Sequence, residues 1–189
     1  MSMIPTQVVD ILDYVDDSEL TFGYYDMARY EGVMNWHKVR KDQPYWGIEL
    51  DDILLDGIPL NLCQPSDRCL ITPDSGTSKM TMPTNLLALF EKKIGYIPNL
   101  PCEDAFGLGT ISYVIDGIHY KLPSHHWNQR VVNSKTGKGT CSHSFFGLDV
   151  GAKNAENLFV AGDLFMQIYY SVFNRDTDMI GLALARHKH

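Results

Sequence analysis

The run CLITPDSGTSKMTMPT, Cys69 to Thr84, sets a carboxylate (Asp74), a glycine (Gly76) and three hydroxyls (Ser75, Thr77, Ser78) side by side in DSGTS. These are parts for acid–base work on a peptide bond: a carboxylate that can give or take a proton, hydroxyls that orient it, and a residue without a side chain that lets backbone come close. Such chemistry usually needs two carboxylates acting together, so a second has to be found. The other Asp-Gly pairs, Asp56-Gly57 and Asp116-Gly117, lack a following Thr or Ser and stand where hairpin turns are needed, so they read as turns. The local alternative for Asp74 is that it merely caps a turn before a helix.

The elements that must position DSGTS are short strands with little helix. GVMNWHKV, Gly32 to Val39, alternates with Val33, Asn35, His37 and Val39 on one face, and ELTFGYYD, Glu19 to Asp26, reads as an earlier strand. YWGIELDDILLDGIPL repeats the theme. TISYVIDGIHYKL is the strongest hairpin, because Asp116-Gly117 suits the positive φ of a tight two-residue turn. One helix is legible just after DSGTS: in PTNLLALFEKKIG, Thr84 is placed to cap, Leu86, Leu87, Phe90 and Ile94 form an apolar stripe, Lys92 and Lys93 sit at the negative end, and Gly95 closes it. DLFMQIYY fits a second short helix or the start of a strand. GLG at Gly107 to Gly109 is too short to cradle a phosphate and reads as loop. The fold class is mainly β with one or two short helices.

At 189 residues the chain suits one well-buried core. A net charge of −7 makes nucleic acid an unfavourable partner. No apolar run approaches the roughly 20 residues that cross a bilayer, and MSMIPTQVVDILDY lacks the basic and apolar regions of an export signal. The four cysteines form two sequence-local pairs, which suggests oxidation in a secretory-pathway compartment. Of the three connectivities open to four cysteines, Cys63 with Cys69 and Cys102 with Cys141 is the reading taken. Zinc held by Cys63, Cys69, Cys141, His143 and His125-His126 would need a spacing that matches no standard finger. The run His125-His126-Trp127 reads instead as a polar loop with a buried tryptophan, and NRDTD as a turn before the last strand.

DSGTS resembles the active-site loop of the pepsin-like aspartic proteases: Asp, Thr or Ser, Gly, then Thr or Ser. The flanks carry the likeness further. ELTFGYYD through YWGIELDDI resembles the start of that family's C-terminal lobe, while FFGLDV and LFVAGDLFMQIYYSVFNRDTDMIGLALA resemble its last strands, with plasmepsin-type and cathepsin-D-like members as the nearest variants. The cysteines agree, since in this family a small two-cysteine loop ends shortly before the catalytic Asp and a second bridge lies within the same lobe.

The resemblance implies a single lobe, residues 19–189, half of a bilobal double-psi β-barrel architecture, preceded by a segment 1–18 in which QVVDIL would add a strand to the sheet joining the lobes. It implies an aspartic endopeptidase in which two aspartates hold one water, sharing a proton because two like charges that close cannot both ionise cheaply, with no metal or cofactor. Asp74 would be this lobe's carboxylate. Ser75 would bond across to the partner loop, Gly76 would admit backbone and substrate, and Thr77 and Ser78 would bond the carboxylate or the substrate backbone. The second loop would come from a missing N-terminal lobe or a second copy of this chain, the substrate would be a polypeptide, and the setting would be secreted or an acidic vesicle. A silent lobe that binds peptides or a partner protein is the reading from another class. Thr72, Pro73, Lys79 and Ala161 depart from the family pattern and put activity in doubt more than fold.

Overall fold

The structure, a computed structural model, describes residues 19–64, 68–98, 100–132, 137 and 139–187. QVVDIL and His189 lie outside the described residues. Tight turns set the strand pairing. Asp56 (φ 49°) with Gly57 (φ 82°), and Asp116 (φ 50°) with Gly117 (φ 73°), each put two consecutive residues at positive φ, the geometry whose twist matches that of paired strands. They fold β3 (Asp52–Leu55) onto β4 (Ile58–Pro59) and β7 (Ile111–Ile115) onto β8 (Ile118–Leu122), giving an antiparallel sheet in the order β4-β3-β7-β8.

A second, mixed sheet is ordered β11 (Phe145–Gly147), β6 (Met80–Met82), β12 (Leu158–Ala161), β5 (Leu70–Pro73), β2 (Ile48–Glu49). Its three inner strands are buried along their whole length, so LITP, MTM and LFVA bury both of their faces, Thr72 and Thr81 included. β5 and β6 are consecutive in the chain yet not neighbours: β12 lies between them, parallel to β5 and antiparallel to β6. The connection between β5 and β6 therefore arches over the end of β12, and that connection is DSGTS.

A third sheet, β1 (Tyr30–Lys38), β14 (Met179–Ala185) and β13 (Tyr169–Asn174), is antiparallel throughout. Val33 does not share a buried face with His37, as the alternation suggests: it is 76% exposed while His37 is 1% exposed. The pairing slips between Glu31 and Asn35, with Gly32 at φ 73°, and Val33 lies inside that unpaired interval, where the strand's alternation does not hold. His37 ties this sheet to the β7–β8 hairpin, its Nδ1 lying 2.7 Å from Asp116 Oδ2 and its Nε2 2.6 Å from the Tyr120 hydroxyl. ELTFGYYD is not a strand. It precedes β1 as irregular backbone, with Gly23 at φ 86° and Leu20, Phe22 and Tyr24 exposed, because it pairs with no strand among the described residues. Exposed apolar side chains continue from there through Met27 to Val33, Phe173 and Leu184 of the adjoining sheet.

Helix α1 (Thr84–Lys93) forms as its stripe requires, with Phe90 and Ile94 buried and Gly95 at φ 70° ending it. Its cap differs from expectation. Thr84 is the first helical residue and its N–H donates to Asp149 Oδ1 at 2.9 Å, so a carboxylate from the loop after β11 fills the capping role.

More helix forms than the sequence suggests. α2 (Cys102–Phe106) and α3 (Ser124–Trp127) are one-turn helices, each entered from a proline, and α3 replaces the loop expected at His125-His126, although Trp127 is buried as expected. DLFMQIYY resolves into both of its readings, α4 (Asp163–Met166) followed by β13. A two-stranded ribbon, β9 (Asn128–Val132) with β10 (Gly139–His143), completes the elements. The bridges are Cys63–Cys69 and Cys102–Cys141, the second fastening α2 to β10. The core is continuous across the sheets, with Tyr113, Phe90, Phe145, Phe159 and Phe165 among its fully buried side chains. Among the described residues no helix is long and apolar enough to cross a membrane.

Candidate active-site loop

Asp74 follows the last residue of β5 and is fixed at both ends. Its N–H donates to Ala161 O on β12 at 3.0 Å, continuing the β5–β12 ladder by one bond. Its carboxylate is held from within the loop: Gly76 N–H donates to Oδ1 at 2.9 Å and the Thr77 hydroxyl to Oδ2 at 2.6 Å. Thr77 N–H also donates to Asp74 O at 3.2 Å, closing the turn. Each oxygen thus has one donor, and the residue is half-buried.

Gly76 is at this position for clearance. A Cβ there would stand 3.2 Å from Asp74 Oδ1, crowding the oxygen its N–H must reach. Ser75 and Ser78 are exposed at the loop's surface and make no hydrogen bond among the described residues. The carboxylate is therefore cradled by Gly76 and Thr77, and Ser78 does not contact it.

The underside of the arch is set by Gly162, directly after β12. A Cβ on Gly162 would lie 2.0 Å from Lys79 O and 2.1 Å from Thr77 O, closer than real atoms approach, so only glycine lets the loop sit down on the strand end. Asp163 N–H then donates to Thr77 O at 2.8 Å. In the sequence Gly162 is only the glycine of the run Val160-Ala161-Gly162-Asp163, since the atoms it accommodates come from more than eighty positions earlier in the chain.

The departures have local explanations. Pro73 has no N–H, but the ladder bonds to β12 fall on Leu70 and Asp74, whose N–H groups reach Asn157 O and Ala161 O. The nitrogen of Pro73 faces the opposite edge, past the two residues where β2 pairs, so no bond to β12 is forfeited. Thr72 is buried beside it. Lys79 extends its amine over the Phe146 ring, 4.8 Å from the centroid, a cation–π placement that lets a charged residue occupy a half-buried site. Ala161 is fully buried under the loop.

The sulfurs of all four cysteines are bonded to one another, which removes them as ligands for the zinc arrangement weighed above. Among the described residues no three His, Cys, Asp or Glu side chains converge on a metal position. Burial, with His125 beside it, holds the His126 imidazole below its ordinary range.

A further cleft, about 530 Å³, opens beside Lys79 between α1 and the β9–β10 ribbon, with Glu91, Tyr96, Ser142 and His143 among its walls. The contact in one wall, His143 Nε2 to Glu91 Oε1 at 2.9 Å, joins residues 52 positions apart, so no local pattern in the sequence marks it.

A family model described as eukaryotic aspartyl protease matches residues 10–185. Cathepsin E of Oryctolagus cuniculus is 35% identical over 173 residues, an alignment covering 89% of this chain and 42% of that protein. Cathepsin E-A of Xenopus laevis is 34% identical over 170 residues, covering 87% and 40%. Cathepsin D of Chionodraco hamatus is 34% identical over 174 residues, covering 89% and 42%. The chain spans less than half the length of these curated relatives.

Proposed function

Since this chain belongs to the eukaryotic aspartyl protease family, we propose that residues 19–189 are one lobe of an aspartic endopeptidase and that Asp74 is one of its two catalytic carboxylates. The observation that carries the reading is the cradle: a half-buried carboxylate in the loop of a looped crossing, with one donor on each oxygen. The two donors fix the orientation of the carboxylate, which suits a group that must take a proton from a water held in one place. The partner carboxylate comes from a second DSGTS-type loop, carried by an N-terminal lobe or by another copy of this chain. Ser75, exposed beside Asp74, is placed to bond across to that loop.

In this scheme a water held between the two carboxylates attacks the peptide carbonyl. One carboxylate takes the water's proton while the other, protonated, donates to the carbonyl oxygen. Collapse of the tetrahedral species then releases amine and acid with no covalent enzyme intermediate. Substrates are polypeptides, and the two disulfides suit maturation in the secretory pathway, with the protein secreted or held in an acidic vesicle.

The test combines size-exclusion chromatography with cleavage of casein at acidic pH. Dilute monomer should be inactive, and activity should appear either on adding the N-terminal lobe of a cathepsin E relative or with a second-power dependence on chain concentration. Asp74→Asn should then lower the rate by at least the roughly 10²–10⁴-fold that acid–base catalysis contributes. Cleavage that survives Asp74→Asn would refute the assignment. Peptide binding without cleavage under every pairing condition, unchanged in Asp74→Asn, would establish the silent-lobe reading in its place.

A further inference from the structure

His143 occupies a position where its two ring nitrogens have opposite jobs. The ring is buried at the end of β10, with only 7% of its side chain exposed. Its Nδ1 accepts from the Phe145 N–H at 3.2 Å, and its Nε2 lies 2.9 Å from Glu91 Oε1 on α1. An Nδ1 that accepts must carry no proton, so the proton sits on Nε2 and is donated to Glu91. The neutral tautomer therefore makes both bonds, linking helix α1 to the β10–β11 corner. The Tyr96 ring packs against it edge-on, with centroids 4.1 Å apart.

We propose that His143 is an acid-released latch: neutral, it holds α1 to the β10–β11 corner along one wall of the cleft beside the Asp74 loop; protonated, it gives up the Phe145 backbone. A proton on Nδ1 turns the acceptor into a donor that faces another donor, and the Phe145 N–H, in a fully buried residue, is left without its partner. The bond to Glu91 survives protonation and strengthens, so the ring swings toward α1 and the corner, not the helix, is what it abandons. β11 is the strand paired with β6, which leads directly out of the Asp74 loop, so the freed corner adjoins the proposed chemistry.

Three titratable groups face the ring from the elements packed on it: Glu91 from α1, Lys79 from the approach to β6, and Tyr96 from the segment after α1. Burial holds the imidazole below its ordinary range. Glu91 pulls it part of the way back, contact with the Phe145 backbone acts in the same direction by a smaller amount, and Lys79 adds to the depression. The Phe145 N–H itself, aimed at Nδ1, opposes a proton there. With the folded value below the unfolded 6.5, the unfolded chain takes up this proton first. The contribution of His143 to stability is thus complete above pH 6.5 and is lost as pH falls from there through the folded value.

Ring ¹⁵N shifts of His143 and hydrogen-exchange protection of the Phe145 amide, followed from neutral to acidic pH on the full chain, test the latch. Expected is a ring that is Nε2-protonated at neutral pH, and Phe145 protection, corrected for intrinsic exchange, that disappears in the same transition in which Nδ1 gains its proton. In His143→Asn the amide oxygen takes over as acceptor for Phe145, so protection there should lose its acid step. Lys79→Met should move the wild-type step to higher pH and Glu91→Gln to lower pH, opposite shifts that a merely space-filling ring would not produce. An acid step that persists in His143→Asn, or that Lys79→Met and Glu91→Gln leave unmoved or move in the same direction, would overturn the proposal. Should the Asn variant fail to fold, the opposed shifts of the other two still decide.

Discussion

Replacing Gly162 by alanine adds one carbon at the most crowded glycine among the described residues. That carbon would fall 2.0 Å from Lys79 O, 2.1 Å from Thr77 O and 2.9 Å from Thr77 C, all backbone atoms, so no rotamer change relieves it. Reaching ordinary contact requires the loop to retreat by roughly an ångström or more, the scale of overpacking that costs about 1–3 kcal/mol. The loop is also bonded to the strand end on both sides of the glycine, through Asp74 N–H to Ala161 O and Asp163 N–H to Thr77 O. Stretching those two bonds adds about 0.5–1.5 kcal/mol each. Gly162→Ala should therefore cost about 2–6 kcal/mol. With a urea slope of about 1–3 kcal/mol/M, its midpoint should drop by about 1 M or more. Gly151→Ala is the control, because a Cβ there meets nothing within 4 Å, and its effect should stay within about 0.5 kcal/mol. Urea titrations followed by circular dichroism would measure both. Equal midpoints for the two variants would refute the claim that the arch rests on Gly162.

The two disulfides should differ in worth. Removing Cys102–Cys141, which spans 39 positions, should cost about 4 kcal/mol on loop entropy, against about 2 kcal/mol for Cys63–Cys69, which spans 6. Paired Cys→Ser variants compared by urea midpoint check this, and equal losses would contradict it. Asp149→Ala should cost about 1 kcal/mol by uncapping α1, while Thr84→Ala should cost less, the reverse of what the sequence suggests. Thermal melts of both variants would decide.

What could be read in advance is what local chemistry specifies. Asp56-Gly57 and Asp116-Gly117 form their turns because two positive φ values in succession suit few other pairs. The stripe of α1 is legible because Phe90 and Ile94 fall one turn apart on its inner face. Asp74 to Ser78 could be picked out as candidates, yet which of them holds the carboxylate depends on loop geometry, and the choice of Thr77 over Ser78 was not accessible. ELTFGYYD misled because alternation marks a strand only when a neighbour is there to pair with it. The caps and latches went unseen for a related reason: Asp149 meets Thr84 across 65 positions, and His143 meets Glu91 across 52. α2 and α3 left a usable trace, since a proline stands immediately before each and Glu103 and Asp104 occupy the first turn of α2.

The pairing of β1 with β14 sets Tyr30 opposite Ala185, and the Arg186 N–H donates to Arg29 O at 2.8 Å. The start of β1 and the end of β14 thus stand side by side, so a pull on the two would open the sheet from that end, one bond at a time.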